Sequence, residues 1–448
     1  MKTPICDFVH KYIESDTTRA HMPGHKGIGA IGCERYDITE VDGADVLYHS
    51  DGIIRESERC AASIFGTART LYSCEGSSLS IRAMLYLALT YAKSEGRAPR
   101  ILAGRNAHKA FLCAAAMLDI DIEWLYGENR SDILSCTITP SLLGDMLDRC
   151  AVMPCAVYIT SPDYLGNIAD IKALSRVCRD RGVLLLVDNA HGAYLHFLSE
   201  SAHPISLGAD ICCDSAHKTL PVLTGGGYLH ISKRAPKILF DHAECAMALF
   251  ASTSPSYLIL QSLDHANKYM SDGYRDALAR FVLCADELKG KLKRAGYELL
   301  GDEPTKITVR AKSYGYTGEE LASHLRSCCV EVEFSDPDHT VLMLSPENTE
   351  KDFSRIERAL CSLARKPAID TAPPSLPCPE RVMTPREAML SPSHEVCVRD
   401  AAGLVLSQPS VSCPPAIPVL VCGEHIDEAS LEMFEYYGIE RLRVVEKI

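Results

Sequence analysis

The 448-residue sequence has no C-x-x-C pair, no excess of positive charge, and no uninterrupted apolar stretch approaching the roughly 18 residues of a membrane helix. Residues 1–16 alternate charged and apolar side chains and lack the apolar core, about 7 residues or more, of a secretory signal. Neither secretion nor membrane spanning is expected, and a cytoplasmic location follows. With 46 Lys and Arg against 59 Asp and Glu, the formal charge is −13, which excludes a nucleic-acid groove or a docking face for anionic lipid. There is no internal repeat or low-complexity tract.

Cysteine, by contrast, is plentiful at twenty residues. The adjacent pairs Cys212/Cys213 and Cys328/Cys329 are poor disulfide formers, and many cysteines stand in apolar company. They read as reduced core thiols, with no metal site expected.

A composition that is 47% hydrophobic supports a large core and two or three domains. From about residue 59 to 229, short apolar runs alternate with longer amphipathic segments, the mark of an α/β fold with a mostly parallel sheet. Strands are expected at 156–160 and 183–187, with a helix at 171–181 between them and another at 79–93. A single long helix is expected over 264–294. Strands at 306–309, 330–334 and 341–344 around a helix at 317–327 suggest a smaller α/β domain. Five prolines within 366–379 mark an extended linker. The expected division is an N-terminal arm (1–50), a large domain (51–270), a small domain (271–365) and a C-terminal module (380–448).

The densest polar clusters follow strand-like runs: Asp188-Asn189-Ala190-His191-Gly192 and Ser215-Ala216-His217-Lys218-Thr219. Residues just past strand ends line the ligand crevice of such sheets. A lysine that can take an aldehyde, with a carboxylate that can hold a pyridine nitrogen protonated, is what pyridoxal-phosphate (PLP) chemistry needs, and Lys218 and Asp188 supply that pair. Gly76-Ser77-Ser78, before the expected helix, is a small-residue loop suited to a phosphate. Within Arg105-Asn106-Ala107-His108-Lys109, the His108 imidazole could lie flat on the ring.

These residues resemble the Orn/Lys/Arg decarboxylases of the aminotransferase-like fold (fold type I), especially the shorter bacterial, arginine decarboxylase-like members. The resemblance is carried by His21-Met22-Pro23-Gly24-His25-Lys26-Gly27, Asp37-Ile38-Thr39-Glu40, Gly76-Ser77-Ser78, Thr160-Ser161-Pro162 and the two clusters above. It continues through Thr253-Ser254-Pro255-Ser256-Tyr257, Thr384-Pro385-Arg386-Glu387-Ala388 and Gly423-Glu424.

The resemblance implies PLP bound covalently by Lys218, with Asp188 at the pyridine nitrogen, His108 stacked on one ring face and Ala190 on the other. His191 would sit near the 3′ oxygen, and Ser77, Ser78, Ser215 and His217 would hold the phosphate. Ser254 and Ser256 would reach the neighbouring subunit's cofactor, implying a homodimer. The implied activity is decarboxylation of a basic amino acid, arginine to agmatine before lysine or ornithine, with His217 or Lys218 returning a proton to Cα. Glu331, Glu333, Asp336 and Glu424 are candidates for the substrate's distal cation. The alternatives are another PLP reaction, transamination or β-elimination, or a lapsed enzyme kept as a PLP-binding regulator. The sequence departs from the family at Glu75 (usually Asn), Asn189 (Glu), Ala216 (Thr) and Gly225 to Gly227 (a Gln-Ser-Ser-like run), which puts rate and substrate in question.

Overall fold

A computed structural model describes residues 1–128, 132–409 and 417–446. Contacts divide the chain into two compact units. The first holds residues 1–98, 155–157 and 171–277; the second holds 99–154, 158–170 and 278–448.

Seven strands form the large sheet: β1 (Arg69–Ser73), β2 (Arg100–Gly104), β3 (Asp121–Leu125), β4 (Ala156–Thr160), β5 (Leu184–Asp188), β6 (Ile211–Asp214) and β7 (Gly227–Ile231). Their order is β1-β7-β6-β5-β4-β2-β3. In the first unit β5 and β6 are parallel, and β7 is antiparallel to both of its neighbours. Every residue of β5, β6 and β7 is buried, so these strands read as continuous apolar runs rather than as alternation. The helix Gly76–Ser94 lies against β6 and β7 and contributes eleven buried residues to this core.

In the second unit β2 and β3 are parallel. A four-stranded antiparallel sheet, β10-β11-β9-β8, uses β8 (Leu299–Leu300), β9 (Lys306–Arg310), β10 (Phe334–Ser335) and β11 (His339–Met343). A further pair joins β12 (Ser393–Cys397) and β13 (Arg441–Val445). Leu406, Leu420, Phe434 and Val444 pack with Leu134, Leu165 and Val341 in one apolar cluster of this unit.

The strand at 156–160 lies where expected, and β5 is displaced by one residue so that Asp188 ends the strand. Three expectations are corrected. The helix expected from 79 begins at Gly76, so Gly76-Ser77-Ser78 form its first turn, where backbone N–H groups lack intrahelical partners. The long helix of 264–294 is two, Tyr257–Ser271 and Tyr274–Arg294, because Gly273 takes a positive φ of 95° that ends the helical path. The strand of 330–334 shrinks to Phe334–Ser335: Cys329 is left-handed at φ 60°, and Val330 N bonds back to Leu325 O at the end of the helix Gly318–Ser327. Every cysteine among the described residues is a free thiol, and among them no helix is long and apolar enough to cross a membrane.

Glu58, on the helix Ile53–Phe65, is buried and accepts a hydrogen bond from Tyr72 N of β1 at 2.9 Å. Burial pushes its carboxyl up to about 8. The folded state therefore binds this proton more tightly than the unfolded chain, where a glutamate titrates near about 4.3. The associated stability is complete below the unfolded value and is lost as pH rises through the folded one. Glu58→Gln keeps the shape and removes the titration. Its thermal midpoint should gain on that of the original protein as pH rises from 5 to about 9. A difference that stayed constant over that range would show that Glu58 carries its charge without penalty.

Candidate active site

In the first unit the ends of β5 and β6 bring the two polar clusters together. The register sets Asp188 beside Cys213. Asp188 is 2% exposed, and its Oδ1 accepts from Ala190 N at 3.2 Å and from the Cys213 thiol at 3.6 Å. A carboxylate held this way keeps one orientation at the strand end. Lys218 lies on the single turn Ala216–Thr219 and is half-buried, with its Nζ 2.9 Å from Nε2 of the buried His191. One nitrogen donates and the other accepts, so the pair can share a proton.

Behind this pair lies a cradle of small residues. Gly76 has φ +62°, and a Cβ there would meet His217 Cε1 at 3.3 Å and Ser215 Oγ at 4.0 Å. Ser215 Oγ accepts from Ser77 N at 3.3 Å and donates to Ser77 Oγ at 2.9 Å. His217 Nδ1 lies 2.8 Å from Gly226 O, so it donates there. Gly76 N donates to Gly225 O at 2.6 Å. A Cβ on Gly225 would strike Cys74 O at 2.8 Å, and one on Gly227 would strike Asp214 O at 2.9 Å and Gly76 C at 3.0 Å. The glycine run that departs from the family pattern thus lets two backbone segments close against each other. The cradle opens on the first turn of Gly76–Ser94, where the helix dipole favours an anion. Its hydroxyls, imidazole and lack of Cβ atoms fit a phosphate.

Glu75, which stands where the family usually has asparagine, is exposed, accepts from Ser252 N at 2.9 Å and lies 3.8 Å from Arg82. Ser78 is half-buried in the helix's first turn. Ser254 is exposed, and Ser256 caps the helix Tyr257–Ser271 by accepting from Ile259 N.

The other candidates belong to the second unit. His108 caps the helix Lys109–Leu118, accepting from Ala110 N at 3.1 Å through Nδ1. Glu331 is exposed and bound by Arg326 at 2.7 Å, which holds its carboxyl below the usual range. Glu333 accepts from the Tyr164 hydroxyl at 2.9 Å. Asp336 accepts from Asp338 N and His339 N and faces the His339 ring at 3.4 Å. Glu424 is 3% exposed and accepts from Arg105 at 3.2 Å and from Val421 N at 2.7 Å. Burial raises its carboxyl, against the pull of Arg105.

Sequence reading passed over Cys213 as a core thiol and did not single out Asp214, His203 or His230. The first was within reach, since parallel pairing of the strands ending at Asp188 and Asp214 makes Cys213 the neighbour of Asp188. His203 comes from a loop, and no local pattern announces it.

Residues 3–308 match the family described as Orn/Lys/Arg decarboxylase, major domain. An arginine decarboxylase of Halalkalibacterium halodurans is 29% identical over 467 residues, covering 96% of this chain and 92% of that one. One of Bacillus subtilis is 27% identical over 465 residues, with the same coverage. Among solved structures, lysine decarboxylase A from Pseudomonas aeruginosa superposes with a TM-score of 0.82 at 16% identity, covering 99% of this chain and 80% of that one, which shows the same fold. With the match spanning both polar clusters, the chain belongs to the Orn/Lys/Arg decarboxylase family, the PLP-dependent decarboxylases of basic amino acids.

Proposed function

We propose that this chain holds PLP on Lys218 and removes the α-carboxylate of arginine to give agmatine, with lysine and ornithine as the competing substrates. The observation that carries the reading is the Lys218 amine paired with His191 beside a buried Asp188 carboxylate. When bound, the cofactor supplies an electron sink for the pair left on Cα by departing CO2.

The residues do the rest. Asp188 holds a proton at the ring nitrogen by its charge, and the Ala190 amide and Cys213 thiol keep it aimed. Ser77, Ser78, Ser215 and His217 would grip the phosphate, and Ala190 would bound the ring. Because the His217 Nδ1–H is given to Gly226 O, only its Nε2 remains to face the phosphate. Lys218, with its several N–H bonds and His191 at 2.9 Å, is the better carrier of the proton returned to Cα. Ser254 and Ser256 belong to a segment that completes the partner subunit's site in a homodimer.

Arginine is favoured because full-length relatives bear that name. For the distal cation, Glu331, Asp336 and Glu424 are each engaged by a basic side chain, whereas Glu333 meets the neutral Tyr164 hydroxyl. Glu333 is therefore the acceptor best able to take a guanidinium.

The test is incubation of the PLP-loaded protein with arginine, lysine or ornithine, following visible absorption, amines and keto acids. Agmatine from arginine, without keto acid, is expected. Cadaverine or putrescine instead would reassign the substrate, keto acid would reassign the reaction, and a bound cofactor with no product would mark a lapsed enzyme.

A further inference from the structure

Behind the cradle a second charged group is wholly enclosed. Cys212 and Asp214 share one face of β6, and Cys212 stands opposite His230 of β7. Asp214 Oδ2 lies 3.1 Å from His230 Nε2 and 3.1 Å from Nε2 of His203, which precedes the short helix Pro204–Leu207. All three side chains have zero exposure, and the Phe65 ring packs on both imidazoles, with centroids at 5.4 and 4.5 Å. Burial opposes the charge on Asp214, but the two imidazoles outweigh it and hold the carboxyl well below the usual range. Thr70 Oγ1, 2.8 Å from His230 Nδ1, fills the ring's other nitrogen. Asp214 Oδ2 accepts from both Nε2–H groups, so neither needs a further partner.

The other oxygen of Asp214 is tied to the site. Asn189 Nδ2 donates to Oδ1 at 2.7 Å, and Asn189 N donates to Cys213 O at 3.0 Å. Asn189 stands between Asp188 and Ala190-His191, and Ser215 follows Asp214 directly. The amide also explains Gly192: its φ of −118° suits any residue, but a Cβ would lie 2.0 Å from Asn189 Oδ1. A Cβ would also lie 2.7 Å from Leu195 Cδ1, so glycine is required there by the Asn189 and Leu195 side chains and not by the backbone.

We propose that Asp214 is a positioning residue, an ionised anchor that through Asn189 fixes the turn carrying Asp188 and His191 and, through the chain, Ser215. The inference rests on the PLP reading above. An anchored turn presents the carboxylate and imidazole in one orientation, whereas a free one samples several and holds the ring loosely.

The test compares Asn189→Ala, Gly192→Ala and their double variant with the unaltered protein. Read for each are the PLP dissociation constant, the visible circular dichroism of bound PLP at saturation, and the melting temperature without PLP. Each single change should weaken PLP roughly tenfold, as expected for one lost hydrogen bond to a charged group, and diminish the dichroism. The double variant should be little worse than either, because both act on one contact. Ile5→Ala, in the buried face of the helix Pro4–Glu14, should lower the melting temperature and leave affinity and dichroism unchanged.

Altered melting with affinity and dichroism like the original's in both single variants would reduce the cluster to ordinary core and overturn the proposal. Stoichiometric tightly bound metal in the unaltered protein, lost in Asp214→Asn, would also overturn it in favour of a cation site. Failure of the unaltered protein to bind PLP would overturn the functional reading and this inference together, which separates that failure from one confined to the variants.

Discussion

Lys218→Ala should abolish turnover, with a loss of at least about 10³-fold, and should eliminate the visible absorption of lysine-bound PLP. On the proposed function, two roles disappear with one amine: the covalent hold on the cofactor and the proton donor paired with His191 at 2.9 Å. The fold should survive. Lys218 is half-buried on a four-residue turn, and its backbone bond, Lys218 N to Ser215 O at 3.0 Å, does not involve the side chain. The cost falls on His191, which is 5% exposed and loses a partner, on the order of 1 kcal/mol. The melting temperature without PLP should therefore move by only a few degrees. PLP should still bind, weakly and reversibly, through the cradle of Ser77, Ser215 and His217. Borohydride reduction followed by peptide mapping separates the outcomes: a reduced adduct on another lysine of the variant would remove Lys218 from its role.

Much of the candidate site is legible in the sequence because its parts are local. Short apolar runs ending in polar clusters placed Asp188 and Lys218 at strand ends, and β5 and β6 put them there. Gly76-Ser77-Ser78 stands out as one tripeptide, and it forms a helix's first turn beside Ser215 and His217. The errors arose where tertiary packing overrode local pattern. Residues 330–333 have the composition of a strand, yet the backbone beyond the helix Gly318–Ser327 turns through a left-handed Cys329 and leaves only two residues to pair. The continuous periodicity of 264–294 concealed the break at Gly273. The Asp214 cluster is not legible in the sequence, because it joins residues 11 and 16 positions apart on two strands and a loop. The same blindness made the glycines at 225–227 look like lost function, when their value lies in how closely residues 74–76 approach.

Asp188→Asn is expected to retain PLP and lose most of its turnover, about a thousandfold in kcat. The substituted amide keeps a carbonyl oxygen that can accept from Ala190 N and Cys213 Sγ, so the turn and the phosphate cradle should persist. What vanishes is the charge. A carboxylate in contact with a protonated ring nitrogen contributes roughly 4 kcal/mol at an effective dielectric near 20, which corresponds to about three powers of ten in rate. That estimate suits a group 2% exposed, where water screens little. The loss should fall on kcat and only slightly on KM, since substrate and cofactor remain held while the electron sink is weakened. The visible spectrum carries an independent reading, because loss of the ring-nitrogen proton should change the band of the bound cofactor even before substrate is added. A variant with unchanged spectrum and kcat would mean that another group protonates the ring, and Asp188 would then be only the buried cap of its own turn.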